Sequence, residues 1–242
     1  MPIARAIEDG ELFLAYQPQV AAATEAIVSV ESLVRWTDPR HGERVPGDFV
    51  AAAEVSGEID LLGAFVLRRA CRDALAWPEL VVAVNASPLQ FCHTDFVPLV
   101  RDALATSGLP ASRLEIEVTE GTCFSDIGRA VEEIEQLRAL GVRVALDDFG
   151  TGYASLSLLR ALPLDKVKID RSFVEDADTE DGRAWLRAFV DLAHALRLAI
   201  TAEGVQTRAQ ASFLAEIGVE YLQGHLFAKA LSAEELTRRL AR

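Results

Sequence analysis

Five carboxylates interrupt apolar runs of this chain where strands should end. Glu31 sits inside IVSVESLVRW, Glu117 near the end of LEIEV, Asp147 and Asp148 directly after VRVAL, and Glu203 after AITA. Asn85 closes VVAV in the same way. An unpaired charge in a buried strand is costly. Carboxylates converging at successive strand ends would repel one another unless cations sat between them. Oxygen donors alone suit Mg2+ or Mn2+ better than structural zinc. Two such ions close together fit hydrolysis of a phosphodiester, one readying water and both stabilising charge on the phosphate. Lys168 lies near the end of a further strand and could orient that water or steady developing charge. Arg35, four residues beyond Glu31, offers a fork for a phosphate.

Each of these residues also has a plainer reading. Glu31 or Glu117 alone could be a salt-bridge partner, Lys168 could pair with Asp170, and Asn85 could cap the turn at Ser87 and Pro88. Two adjacent aspartates before a glycine often make only a loop. Asp148-Phe149-Gly150 invites comparison with the kinase DFG, but no GxGxxG loop, VAIK-like lysine or HRD precedes it. Gly150 and Gly152 allow tight turns, whether to bring backbone N–H groups to a phosphate, to gate a site or simply to turn. The joint placement at successive strand ends is what favours the metal reading.

A repeated strand-helix pattern would have to hold these groups. Strand candidates fall at Phe13 to Val20, Ala26 to Trp36, Leu80 to Asn85, Leu114 to Val118, Val142 to Leu146, Lys166 to Ile169, Leu198 to Ala202 and Tyr221 to Leu222. Helix candidates fall at Pro46 to Glu54, Asp60 to Leu75, Asp95 to Thr106, Asp126 to Leu140, Asp181 to Leu196 and Thr207 to Ile217. The clearest is Asp126 to Leu140, where Ile127, Val131, Ile134, Leu137 and Leu140 recur at three or four residues before Gly141. Ser232 is the expected N-cap of a closing helix, with Glu235 three residues on. Alternation of this kind, without a linker rich in Pro, Gly or Ser, favours a helix-covered parallel barrel over two domains. A doubly wound open sheet is the structural alternative, and the roughly eight strands favour the barrel.

Composition narrows the function classes. The 242 residues are 50% hydrophobic and 25% charged, enough for a sizeable core and unlike a disordered chain. A net charge of -13 makes the chain a poor candidate for wrapping duplex DNA or RNA, or for resting a polybasic patch on a membrane. Cys71, Cys92 and Cys123 are scattered, with no CxxC, which fits a reducing, cytoplasmic setting. No stretch of about 20 apolar residues and no secretory leader is present. The ordered pattern begins almost at residue 1, as expected of a single domain, residues 1–242, cut from a longer protein.

Taken in order, the motifs resemble those of the EAL-domain cyclic di-GMP phosphodiesterases of bacteria, from about Leu12 to Leu236. They are Glu31-Ser32-Leu33-Val34-Arg35, Asn85-Ala86-Ser87, Glu117-Val118-Thr119-Glu120, Asp147-Asp148-Phe149-Gly150-Thr151-Gly152-Tyr153, Lys168-Ile169-Asp170-Arg171-Ser172-Phe173-Val174, Ala202-Glu203-Gly204-Val205 and Gln223-Gly224. The resemblance implies a TIM-like (β/α)8 barrel whose first strand is antiparallel. It implies hydrolysis of one P–O bond of cyclic di-GMP to linear pGpG with two Mg2+ or Mn2+ ions, Ca2+ permitting binding but not turnover. By the same resemblance Glu31, Asn85, Glu117 and Asp147 ligate one metal, Asp147 bridges to a second near Asp148, and Lys168 and Glu203 position water and complete the metal site. Arg35 contacts phosphate, Gln17 and Gln223 line the substrate pocket, and Glu120 anchors the loop Asp148 to Leu156. A homodimer is also implied.

Four details depart from the family pattern. Ser32 stands where alanine is frequent, Gln206 where EGVE has its last glutamate, Ala154-Ser155 where two serines are usual, and Phe227-Ala228-Lys229-Ala230-Leu231 lacks the usual proline. Gln206 keeps hydrogen-bonding reach but loses charge, which leaves open a receptor or scaffold that binds cyclic di-GMP without cutting it. A purely protein-binding domain, with affinity for neither substrate nor metal, is the third class.

Overall fold

The computed structural model describes residues 3–39, 42–93, 96–119, 126–150 and 156–241. A short helix α1 (Ile3–Glu8) leads into β1 (Leu12–Ala21) and β2 (Ile27–Asp38), followed by β3 (Gly42–Arg44), α2 (Pro46–Ser56), α3 (Ile59–Asp73), β4 (Val81–Ala86), α4 (Pro88–His93) and α5 (Phe96–Ser107). Then come β5 (Leu114–Thr119), α6 (Ile127–Ala139), β6 (Arg143–Phe149), α7 (Leu156–Ala161), β7 (Lys166–Ile169), α8 (Arg171–Glu175) and α9 (Glu180–Ala195). The chain ends through β8 (Ala199–Ala202), α10 (Arg208–Glu216), β9 (Tyr221–Gln223) and α11 (Ala233–Leu240). Every strand and helix expected from periodicity is present. The short elements α1, β3, α4 and α8, each of six residues or fewer, were not foreseen, because such segments carry too few repeats for a period to show.

The sheet runs β1-β9-β8-β7-β6-β5-β4-β2, and pairing of β1 with β2 closes it into an eight-stranded barrel. β1 is antiparallel to both neighbours, while the pairs from β2–β4 through β8–β9 are parallel. This is the TIM-like barrel with one reversed strand. β3 only lengthens the free end of β2 as a hairpin.

Alternation sorts the strands into two faces. Val82, Val84, Leu114, Ile116, Val118, Val144, Leu146, Val167 and Ile169 are buried in the hydrophobic core that the helices cover. The intervening positions face the barrel lumen, and there the usual branched apolar layers give way to small and ionic groups: Ala83, Glu115, Glu117, Ala145, Asp147, Lys166 and Lys168, all buried. The small Ala145 lets β5 and β7 side chains meet across β6. Lys166 Nζ reaches Glu115 Oε1 at 2.7 Å and also lies 4.8 Å from the Tyr221 ring centre. A polar lumen is stable only where its charges pair, so Glu115–Lys166 forms a floor beneath the residues at the mouth. Helix ends are set locally. Ser232 with Glu235, and Thr207 with Gln210, form reciprocal capping boxes, each worth about 1 kcal/mol.

Candidate functional site

At the C-terminal mouth of the barrel the Lys168 ammonium, fully buried, is surrounded by carboxylates. Its Nζ lies 2.7 Å from Glu203, 3.0 Å from Glu117, 3.0 Å from Asp147 and 3.5 Å from Glu31. The strands β2, β5, β6 and β7 each supply one of these five groups and Glu203 directly follows β8, which is why separate stretches of sequence converge. Asn85 on β4 donates through Nδ2 to Glu31 Oε1 at 2.8 Å, and Gln223 on β9 donates to Glu31 Oε2 at 2.7 Å. Gln223 in turn accepts from Gln19, which accepts from Ser29. Lys168 therefore does not pair with Asp170. Asp170 instead accepts from the Ser172 backbone and hydroxyl as N-cap of α8. Nor does Asn85 cap the turn at Ser87, whose hydroxyl donates to Glu54.

A break in register brings Asp147 and Asp148 to the same end. β6 pairs with β7 at Ala145↔Lys166 and Leu146↔Val167, then resumes only at Phe149↔Ile169, so β6 carries one extra residue. Such a bulge re-aims side chains. Asp148 adopts a left-handed φ of 55°, and its N–H donates to Asp147 Oδ1 at 2.9 Å.

The electrostatics follow from burial and crowding. Burial works against the Lys168 charge, but the four carboxylates outweigh it and hold the ammonium well above its ordinary pKa. Burial raises Glu117, Lys168 opposes this, and Glu31, Asp147 and Glu115 help push it well above the carboxylate range. Glu203 is raised to about 8, by burial first and against the pull of Lys168. Burial and the neighbouring Asp147 raise Asp148. Glu31 goes the other way: burial is outweighed by Lys168 and by the Gln223 and Asn85 donors.

One ammonium cannot neutralise this many acids, and two groups have the geometry to hold cations. Ligand oxygens of Glu31, Glu117 and Asp147 lie within 4.8 Å of one another, as do those of Asp147, Asp148 and Glu203. Glu117 Oε1 is buried without a hydrogen-bond partner. Oxygen donors, surplus negative charge and an unsatisfied buried oxygen fit divalent cations, and Asp147 belongs to both groups.

A cavity of about 320 Å3 opens over this centre, lined by Gln17, Glu31, Asp147, Asp148, Glu203 and Gln223 together with Arg171, Gln206 and His225. A second cavity of about 540 Å3, with Leu33, Val50, Ile59 and Leu62 on its walls, meets the first at Asp148 and includes Asn85. Arg35 lines neither; it stands on the overhanging end of β2, half-buried, with Nη1 on the Val34 carbonyl. Glu120 and residues 151–155 of the loop lie outside the described residues. Arg171 and His225 were not foreseen as site residues. Arg171 opens α8 and His225 follows β9, and a single polar residue at either place carries no periodic signal. Ser32 donates to the Ala83 carbonyl, pointing away from Glu31, so the departure there does not reach the centre.

The raised carboxylates have a consequence for stability. Glu203 titrates near 4.5 when unfolded and near 8 when folded, so the folded state holds a proton that the unfolded state has lost. That contribution is fully present below pH 4.5 and is lost as pH rises to about 8. Glu117 has the same sign, and Lys168 stays charged throughout. The metal-free protein is expected to lose about 5 °C in Tm between pH 5.5 and 8.5. Mg2+ should reverse the loss, and Glu203→Gln should flatten the slope. A metal-free Tm that rises across this window would contradict the assignment.

A closed barrel with one reversed strand, bearing an acidic, lysine-centred cluster at its mouth, defines a barrel protein with an enzyme-type polar site. The EAL domain family model matches residues 2–230, and the chain belongs to that family. It is 42% identical over 243 residues to the bifunctional diguanylate cyclase/cyclic di-GMP phosphodiesterase MucR of Pseudomonas aeruginosa, covering 98% of this chain and 36% of MucR. It is 43% identical over 233 residues to the cyclic di-GMP phosphodiesterase NbdA of the same organism, covering 94% of this chain and 30% of NbdA. The solved structure of the PaMucR phosphodiesterase in complex with c-di-GMP superposes with a TM-score of 0.91 at 42% identity, covering 97% of each chain. The chain thus spans about a third of the length of these two curated relatives. Among the described residues no helix is long and apolar enough to cross a membrane.

Proposed function

We propose that this chain hydrolyses cyclic di-GMP to linear pGpG, using two divalent cations, Mg2+ or Mn2+. One is held by Glu31, Asn85, Glu117 and Asp147, the other by Asp147, Asp148 and Glu203. The observation that carries the reading is that Asp147 is common to both oxygen groups while Lys168 touches members of each. When bound, such ions lower the pKa of water and offset charge on the phosphate. Water adds to phosphorus, the bond to the ribose 3′ oxygen breaks, and that oxygen takes up a proton. Lys168 holds the attacking water by a charge-assisted hydrogen bond, and Glu203 orients it from the end of the neighbouring strand β8. Gln17 and Gln223 place the ligand over the centre, and Arg35 waits at the rim for a phosphate. The apolar walls of the larger cavity suit a base. The domain works in the cytoplasm as part of a longer protein and as a homodimer.

Gln206, on the cavity wall with its N–H on Gln210, favours one alternative, a receptor that binds the dinucleotide without turnover. Incubation of the chain with cyclic di-GMP in Mg2+, Mn2+ or Ca2+, with products separated by chromatography, decides between them. The expected result is pGpG in Mg2+ or Mn2+ and binding alone in Ca2+. Binding without pGpG under all three ions would favour the receptor, and no binding at all would leave a protein-interaction domain.

A further inference from the structure

The backbone that presents Asp148 is held from behind by a stack of four aromatic rings. Phe149, the residue at which β6 regains its pairing after the bulge, lies 4.7 Å ring to ring from Phe189 at 30°. Phe189 stacks on Trp185, one turn earlier on α9, at 5.3 Å and 1°. Trp185 stacks on Phe173 of α8 at 4.1 Å and 12°. The stack then returns to the loop, because Phe173 packs under Gly150. A Cβ at Gly150 would lie 2.4 Å from the Phe173 ring, and Gly150 has a φ of 96° that favours glycine. The rings thus grip the two residues that follow Asp148, which itself sits at a left-handed φ of 55°, a conformation uncommon outside glycine.

We infer that the Phe149–Phe189–Trp185–Phe173 stack is a positioning device for Asp148, fixing the bulge so that its carboxylate reaches the group formed with Asp147 and Glu203. The inference deepens the two-cation reading and rests on it. Aromatic pairs prefer defined stacked geometries, so they convert the packing of α8 and α9 into a fixed direction for one side chain. A cation site needs its donors held to within about 0.5 Å. Trp185 is the ring to test, since it is 37% exposed and is not itself among the buried core residues.

The experiment compares the full chain with Trp185→Ala, Trp185→Leu and Trp185→Phe. Hydrogen exchange is measured in the metal-free state, and Mn2+ binding by calorimetry. With Ala or Leu, the amides of Asp148 to Gly150 should exchange about tenfold faster while those of β4 and β5 keep their rates. One of the two Mn2+ steps should weaken about tenfold. Trp185→Phe should restore both. Unchanged exchange at Asp148 to Gly150, or a Phe variant as perturbed as Ala, would overturn the inference. Trp185→Leu serves where the Ala variant fails to fold, because it keeps apolar volume and removes only the ring. If the parent chain binds no Mn2+, the two-cation reading fails on that result alone, and the exchange rates still decide whether the stack holds the bulge.

Discussion

Lys168→Ala is expected to lower turnover about 100- to 1000-fold and, without divalent cations, to destabilise the fold by about 3–5 kcal/mol. The two effects have separate causes. Lys168 is fully buried and its ammonium is the positive charge that faces Glu31, Glu117, Asp147 and Glu203. Removing it leaves buried carboxylates uncompensated, and they must take up protons or repel one another. Cations at the same mouth supply compensating charge, so saturating Mg2+ should return most of the lost stability. They cannot supply the hydrogen bond to attacking water, so turnover should stay low. Binding of cyclic di-GMP in Ca2+ should change by only a few-fold, because the interaction removed belongs mainly to the transition state. Thermal unfolding with and without Mg2+, beside steady-state kinetics, tests both halves. Near-normal turnover in saturating Mg2+ would sink the proposed role of Lys168 in holding water.

The sequence made the barrel legible because its strands and helices are long enough to show their periods, and because charges stand out in apolar strands. Glu31, Glu117, Asp147 and Glu203 could be picked out for that reason alone. What it could not show was how they meet. The Lys168–Glu117 contact joins residues 51 apart through a lumen, and depends on the stagger of a closed sheet and on the small Ala145 between them. The pair Glu115–Lys166 is the same device one layer lower, and no local pattern announces it. Asp148 was expected near Asp147, but the bulge that puts both at one end appears only in the pairing of β6 with β7. The ring stack was equally hidden: Trp185 and Phe189 share one helix, and only the fold sets them against Phe149 and Phe173.

Asp147→Asn should do more damage to cation binding than a change at any other carboxylate of the centre. Asp147 is the residue shared by the Glu31–Glu117 group and the Asp148–Glu203 group. Its neighbours each belong to one. An asparagine keeps the shape and can still ligate weakly through its amide oxygen, but it cannot offer two anionic oxygens to two cations. Asp147→Asn is therefore expected to weaken both Mn2+ steps and to lower turnover about 1000-fold or more. Glu31→Gln should impair mainly one step, and Asp148→Asn mainly the other. The neutralised variant also relieves crowding, since Asp147 is among the charges that raise Glu117, Asp148 and Glu203. Without metal it should be at least as stable as the parent at pH 8, where the carboxylates repel most. That combination, equal or better stability with lost cation binding, separates a ligand from a residue needed only for folding. Calorimetric Mn2+ titrations of the three variants, read with their metal-free Tm values, measure it. Asp147→Asn losing one Mn2+ step while keeping the other intact would show that the two groups do not share this residue.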